Sequence, residues 1–176
     1  MIRTLDQMVE KVLSLHKKHR IAVAWAHDIH TISAIHKAVN YGLTEAILIG
    51  QSSEIKSICR KSGINPELFT ITDSDDEVKA STEAVSLTRS GEDYIVMKGL
   101  VGTDKFLKAV MDKNNGLMLP EAVLSYVCAI ELPAYHKLLF ITDPAVIPSP
   151  TLKQKIVMAE YAIAMAGRFG INKPKV

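Results

Sequence analysis

Apolar positions follow two periods along this chain, and the switches between them predict its elements. Thr4 and Gln7 stand at capping-box spacing, and Met8, Val12 and Leu15 recur behind them at helical spacing, predicting an amphipathic opening helix of about three turns. Ile21 to Ala26 is a short apolar run suited to a buried strand. Ile29, Ile32, Ile35 and Val39 then mark a helical stripe that closes at Tyr41-Gly42, with the glycine in the C-cap place. Glu45 to Ile49 predicts a second strand, closed by Gly50. The unit then repeats. Ser52 or Ser53 is placed to cap a helix carrying Ile55 and Ile58 that stops at Gly63, and Leu68 to Ile71 follows as a strand. Ser74-Asp75-Asp76-Glu77 reads as another capping box, leading a helix through Val78 and Val85 to Gly91, and Tyr94 to Met97 is the fourth strand.

Strands separated by single amphipathic helices predict an α/β fold with a mostly parallel sheet and helices on both faces. Beyond Lys108 the rhythm changes. Leu124 to Leu132 and Lys137 to Thr142 are two apolar segments joined only by Pro133-Ala134-Tyr135-His136, too short a link for a parallel crossover, so they are expected to pair as an antiparallel hairpin. That change places a domain boundary near Asn114-Asn115-Gly116, with residues 1–115 as the α/β domain and 116–176 as the start of a second. Ser149-Pro150 has the form of a helix cap followed by proline at the first helical position, ahead of a helix through Ile156, Ile163 and Met165 to Gly170. Pro174-Lys175-Val176 then reads as the approach to another strand, so the second domain is expected to be truncated.

Composition narrows the function classes. The 21 Lys and Arg against 19 Asp and Glu leave a formal charge of only +2, with both signs scattered, which argues against nucleic acid or an anionic membrane as main partner. Cys59 and Cys128 lack partners at metal or redox spacing, so reduced, packed thiols are expected. A polar N-terminus and the absence of any membrane-length apolar run predict a cytoplasmic protein.

The stretch Met97-Lys98-Gly99-Leu100-Val101-Gly102-Thr103-Asp104 sits between a strand and a helix. Gly99 and Gly102 let the backbone approach a ligand, the helix start offers free N–H groups, and Lys98 and Thr103 add a cation and a hydroxyl, a set suited to phosphate or another anion. The spacing matches neither the dinucleotide fingerprint nor the triphosphate loop, and on spacing alone an ordinary strand-to-helix turn is the better account. His27 and His30 flank Asp28 at a helix start. Without a further ligand nearby, Asp28 is expected as a cap between exposed histidines, and no metal site is assigned. Trp25 is expected in the core, and no nucleophile elbow or acid–base carboxylate pair is present in the sequence.

Several of these segments recur together, in order, in one family. Ala46-Ile47-Leu48-Ile49-Gly50, the run Val96 to Val110, Leu132 to Asp143, and the ending Gly170 to Val176 make the chain resemble the amino-terminal portion of the phosphate acyltransferases, the phosphotransacetylase and phosphate butyryltransferase family. The resemblance implies reversible transfer of a short acyl group, butanoyl or acetyl, between coenzyme A and inorganic phosphate. Coenzyme A is then a substrate, and no cofactor is tightly held. It also implies a relation to the isocitrate/isopropylmalate dehydrogenase-like folds. An apolar hairpin exposed by a half-built second domain predicts in addition a homo-oligomer burying Leu124 to Ile141. Lys98, Gly99, Gly102 and Thr103 would hold phosphate, with Lys108 where the family has an arginine, Arg89 as a second cation and Asp143 at a cleft edge. Two lysine charges, Lys98 and Lys108, are thus expected to converge on the turn. Ile147 replaces an asparagine of the family pattern. The family's thiol-activating residues match nothing in this chain, so no catalytic residue is assigned and weak activity is expected of the chain alone. A non-catalytic module binding coenzyme A or phosphate, and a nicotinamide-dependent dehydrogenase-like protein, are the alternatives.

Overall fold

The computed structural model describes residues 1–91 and 94–176. In order, it contains α1 (Leu5–Ser14), β1 (His19–Ala24), α2 (Ile29–Asn40), β2 (Thr44–Gly50), α3 (Ser52–Lys61), β3 (Thr70–Asp73), α4 (Glu77–Arg89), β4 (Tyr94–Lys98), α5 (Thr103–Val110), β5 (Val127–Ile130), β6 (Leu139–Thr142) and α6 (Leu152–Arg168). These form two units, His16–Met118 and Met1–Leu15 with Leu119–Val176.

In the larger unit the four strands are parallel, in the order β3-β2-β1-β4. Period two in the central strands separates two cores. Val23 and Leu48, with Ile21 beside them, meet Ile32, Ile35, Ile55 and Cys59 of α2 and α3 on one face. Ala22, Ala24 and Ile49 meet Ala80 and Ala84 of α4, with Phe106 of α5, on the other. The alanines explain how α4 lies against the sheet: Ala22, Ala24, Ala80 and Ala84 are all fully buried, so small side chains let helix and strand backbones approach. Cys59 is a buried free thiol whose pKa burial pushes up, in keeping with a packing role.

Helix starts depart from the expected caps. At α3 neither Ser52 nor Ser53 caps; the N-cap is Gln51, which has no side-chain cap bond. The free amides go instead to distant groups, Gln51 N–H to His27 Nε2 and Ser52 N–H to Asp73 Oδ1, each at 2.8 Å. At α4, Asp76 is the cap and accepts from Val78 and Lys79. Asn65-Pro66 spends the expected start of the third strand on a 3-10 turn, Pro66–Leu68, which moves β3 to Thr70. α6 begins after Ser149-Pro150, with Thr151 as cap and Gln154 completing a capping box.

In the smaller unit β5 and β6 are antiparallel, pairing Val127 with Thr142 and Ile130 with Leu139. The ladder is shorter than the apolar segments. Pro133 has no N–H to give it, and Glu131 leaves the strand to accept the Leu5 N–H at 2.8 Å. That bond, and Ile2 N–H to Phe169 O at 2.8 Å, attach residues 1–15 to this unit. The opening helix therefore groups with the second unit rather than with the α/β domain of residues 1–115, and the other division falls between Met118 and Leu119.

Ala84→Leu tests the close contact of α4 with the sheet. Three added carbons at a fully buried site are expected to cost about 1–3 kcal/mol, read as a lower urea midpoint with unchanged slope. An unchanged midpoint would mean that the helix stands off the sheet.

Candidate anion site at the β4–α5 turn

The turn sits where the sheet changes direction. From β1 the chain proceeds outward to β2 and β3 on one side, then returns to place β4 on the other. The carboxyl ends of β1 and β4 therefore flank the topological switch point, where open α/β sheets hold ligands. Gly99 N–H donates to Ala24 O and Leu100 N–H to Trp25 O, both at 2.9 Å, locking the two strand ends together. A Cβ on Gly99 would stand 2.5 Å from Trp25 O and 2.7 Å from Ala24 O, so only glycine allows this approach.

Lys98 folds its ammonium onto its own turn, donating to Val101 O at 2.9 Å and Gly99 O at 3.3 Å. Thr103 is exposed and opens α5, while Gly102 is the N-cap and contributes no side chain. The N–H groups of Thr103, Asp104 and Lys105 have no hydrogen-bond partner among the described residues. Free amides at a helix start, carrying the positive end of the helix dipole, are suited to an oxyanion.

That start already meets a carboxylate. Glu77, the first residue of α4, accepts the Gly102 N–H through Oε2 at 3.2 Å and forms a short ion pair with Lys105 through Oε1. Lys105 above all, and then the Gly102 N–H, hold the Glu77 carboxyl below its usual value, while Glu77 raises Lys105. Glu77 stands where an oxyanion would draw on the same donors.

Three expected members lie elsewhere. Lys108 is in the last turn of α5, about 7.5 Å along the axis from Thr103. Arg89 ends α4, about 18 Å along that helix from Glu77, and donates to Gly116 O at 2.7 Å. Asp143 belongs to the other unit. Burial would raise its pKa, but backbone N–H groups of Ala145, Val146, Ile147 and Tyr126 outweigh this and keep it low. Its oxygens thus organise the loop after β6. Lys105 and Glu77 are the residues that sequence spacing missed. Placing the helix start at Thr103 puts Lys105 in the first turn, beside Glu77.

Next to the turn, Asp28 caps α2 by accepting from Thr31 at 2.8 Å, as expected. His27 is not a free surface residue. Its ring stacks on Trp25 with centroids 3.9 Å apart, and its Nε2 accepts from Gln51, which requires a neutral ring protonated on Nδ1. Burial pushes its pKa down, with Glu54 opposing.

The model of the phosphate acetyl/butaryl transferase family matches residues 3–89 and 75–176. The chain belongs to this family. It is 37% identical to a phosphate butyryltransferase of Clostridium acetobutylicum over its whole length, spanning 58% of that relative. To a phosphate acetyltransferase of Thermotoga maritima it is 33% identical, over 98% of this chain and 57% of the relative. A branched-chain phosphotransacylase from Enterococcus faecalis V583 shares the fold with a TM-score of 0.76 at 24% identity, over 89% of this chain and 54% of that one. The chain therefore spans a little over half the length of the curated relatives it matches.

A histidine whose folded pKa lies below its unfolded value contributes stability that is full above the unfolded value, near 6.5, and is lost as pH falls toward the folded one. Chemical denaturation across this window is expected to show the wild type weakening on acidification and His27→Gln losing that slope. Parallel slopes would remove the ring from the account.

Proposed function

We propose that this chain supplies the phosphate side of an acyl transfer in which a short acyl group, butanoyl or acetyl, moves from coenzyme A to inorganic phosphate. The observation that carries this reading is the set of unpartnered amides at the start of α5, set at the switch point of a family member's sheet. Phosphate would take the donors that Glu77 now holds, accepting from the Gly102 to Lys105 amides, the Lys105 ammonium and the Thr103 hydroxyl. Lys98 is better placed to satisfy the carbonyls of Gly99 and Val101, keeping the turn in shape, than to touch the ligand. A phosphate oxygen then attacks the thioester carbonyl, a C–O bond forms, and the C–S bond breaks to release coenzyme A as thiolate.

The reverse direction needs a thiolate from a group with an ordinary pKa of about 8.5, and the oxyanion of the tetrahedral intermediate needs its own donors. No residue of this chain is assigned to either task. The same reading holds coenzyme A to be a substrate, with no tightly bound cofactor, and places the protein in the cytoplasm. Among the described residues no helix is long and apolar enough to cross a membrane. The open parallel sheet with helices on both faces supports an isocitrate/isopropylmalate dehydrogenase-like class. Exposed Leu132, Tyr135 and Leu139 of the hairpin region support assembly with further polypeptide, as a homo-oligomer or otherwise.

Trp25, the only tryptophan, accepts the Leu100 N–H and so reports on the turn. In a phosphate titration followed by its emission, Glu77→Gln is expected to tighten binding a few-fold, Lys105→Ala to weaken it and Lys108→Ala to leave it unchanged. Equal affinities for all three would place phosphate elsewhere. The purified chain alone is expected to form no acyl phosphate from butanoyl-CoA above background, and robust turnover would overturn the need for further polypeptide.

A further inference from the structure

Trp25 follows β1 directly, and its backbone is bent into the left-handed region, with φ of 57°. A bulky residue holds that conformation only where its surroundings fix it. Two contacts do so here. The Trp25 carbonyl accepts the N–H of His27 and the N–H of Leu100, each at 2.9 Å. The indole is stacked on the His27 ring, with centroids 3.9 Å apart and planes inclined by 28°.

A third segment places the His27 ring in turn. Its Nε2 accepts the Gln51 N–H at 2.8 Å. The ring edge also lies so close to the backbone of Gly50 that a Cβ there would stand 2.5 Å from Nε2 and 2.8 Å from Cδ2. One imidazole therefore joins the start of α3 to Trp25, and the Trp25 carbonyl joins both to the turn that follows β4. The ring accepts at Nε2 only while it is neutral. Once protonated it carries an N–H on both nitrogens, so the Gln51 amide loses its partner. The resulting cation would also face the partial positive charge of a helix start.

The charges around the ring are few. Glu54, in the first turn of α3, favours the protonated form, and burial outweighs it. Asp73, at the end of β3, is committed to the Ser52 N–H with Lys56 beside it. On the ring's own loop, Asp28 is committed to the Thr31 N–H and His30 is exposed. From the β4–α5 turn, the Lys98 ammonium is folded onto the carbonyls of Gly99 and Val101.

We propose that His27 is a positioning residue for the β4–α5 turn: its neutral ring, bound to Gln51 and stacked on Trp25, holds the Trp25 carbonyl beneath the Leu100 N–H, and protonation releases that hold. The consequence for anion binding rests on the reading of this turn as the phosphate site. The link from ring to turn does not. Acid then acts on the turn through a side chain that never touches the ligand.

Amide exchange followed by NMR from about pH 7.5 to about pH 5.5, on either side of a histidine's ordinary value, reads the link without a ligand. Protection of the Gln51 and Leu100 amides, corrected for intrinsic exchange, is expected to fall together about threefold or more on acidification. The loss is expected to exceed that at Leu48, which lies fully buried in β2 and exchanges only through wider opening. His27→Gln supplies an acceptor that does not titrate and is expected to remove the pH dependence at both amides, whereas His30→Gln, at an exposed position, leaves it in place. Emission of Trp25, the only tryptophan, is expected to follow the same transition and to lose it in His27→Gln.

Sulfate, a dianion throughout this window, then probes the anion site, and Glu77 titrates below the window. Sulfate affinity is expected to weaken about threefold or more on acidification in the wild type and not in His27→Gln, whereas added positive charge alone would tighten it. A Gln51 amide that loses protection while Leu100 keeps it would overturn the proposal, and the wild type alone decides this should His27→Gln not fold. A Leu100 profile that persists in folded His27→Gln would overturn it as well. Loss at both amides while sulfate fails to bind, or binds more tightly, leaves the link standing and removes the phosphate reading.

Discussion

Two backbone hydrogen bonds, from Gly99 to Ala24 and from Leu100 to Trp25, fix the turn on which the proposed phosphate site depends. They pull the turn after β4 against the end of β1, across the switch point of the sheet, and they require a residue without a Cβ at position 99. Once the turn is held, α5 starts at Thr103 with its amides facing outward and its dipole unopposed by any side-chain cap of its own. The positive end of a helix must find an anion or water. Glu77 is the anion at hand, and it is there because α4 begins at the same edge of the sheet as α5. The small residues beneath α4, Ala22, Ala24, Ala80 and Ala84, are what bring that helix close. Packing on one face of the sheet thus decides which carboxylate sits at the turn.

This arrangement explains why the turn carries cationic groups without an excess of positive charge. Lys98 is engaged by the carbonyls of Gly99 and Val101, and Lys105 by Glu77. Asp76 at the cap of α4 and Asp104 in the first turn of α5 add negative charge. An incoming oxyanion gains only the difference between its own interactions and those of the Glu77 carboxylate it displaces. Glu77 is held ionised mainly by Lys105, so lowering the pH through the carboxylate range weakens the resident anion. Its contribution is full above the ordinary value of 4.5 and fades below it, the direction expected of a depressed acid.

What could be read in the sequence was whatever depended on neighbours along the chain. Unbroken apolar runs at Ile21–Ala26 and within Glu45–Ile49 marked buried strands, and the short link through Pro133 marked an antiparallel pair. Local caps at Thr4 and Asp28 were visible for the same reason, whereas the box read at Ser74–Glu77 set the start of α4 two residues before its actual cap, Asp76. Distant partners left no local trace. The amide of Gln51 is satisfied by a histidine from another loop, and that of Leu5 by Glu131, more than a hundred residues away. The stripe of α1 announced an apolar face but not which unit it would join. Which lysine of α5 stands in its first turn depends on where the helix begins, the least legible property of a sequence pattern. Arg89 was placed on the right helix, at its far end.

The two units also differ in what holds them together. The larger has closed cores on both faces of its sheet, so its site rests on an interior that does not need further chain to exclude water. In the smaller, a two-stranded ladder leans on one helix whose outer stripe stays wet, and a ladder of that size is marginal without cover. Hydrophobic stabilisation scales with the apolar area removed from water, so exposed Leu152, Ile156 and Ile163 represent stabilisation that the unit does not yet have. The same residues would lower the free energy of any partner surface that covered them. The turn after β4 therefore rests on a complete core, whereas the smaller unit holds its helix and hairpin together with fewer buried apolar contacts.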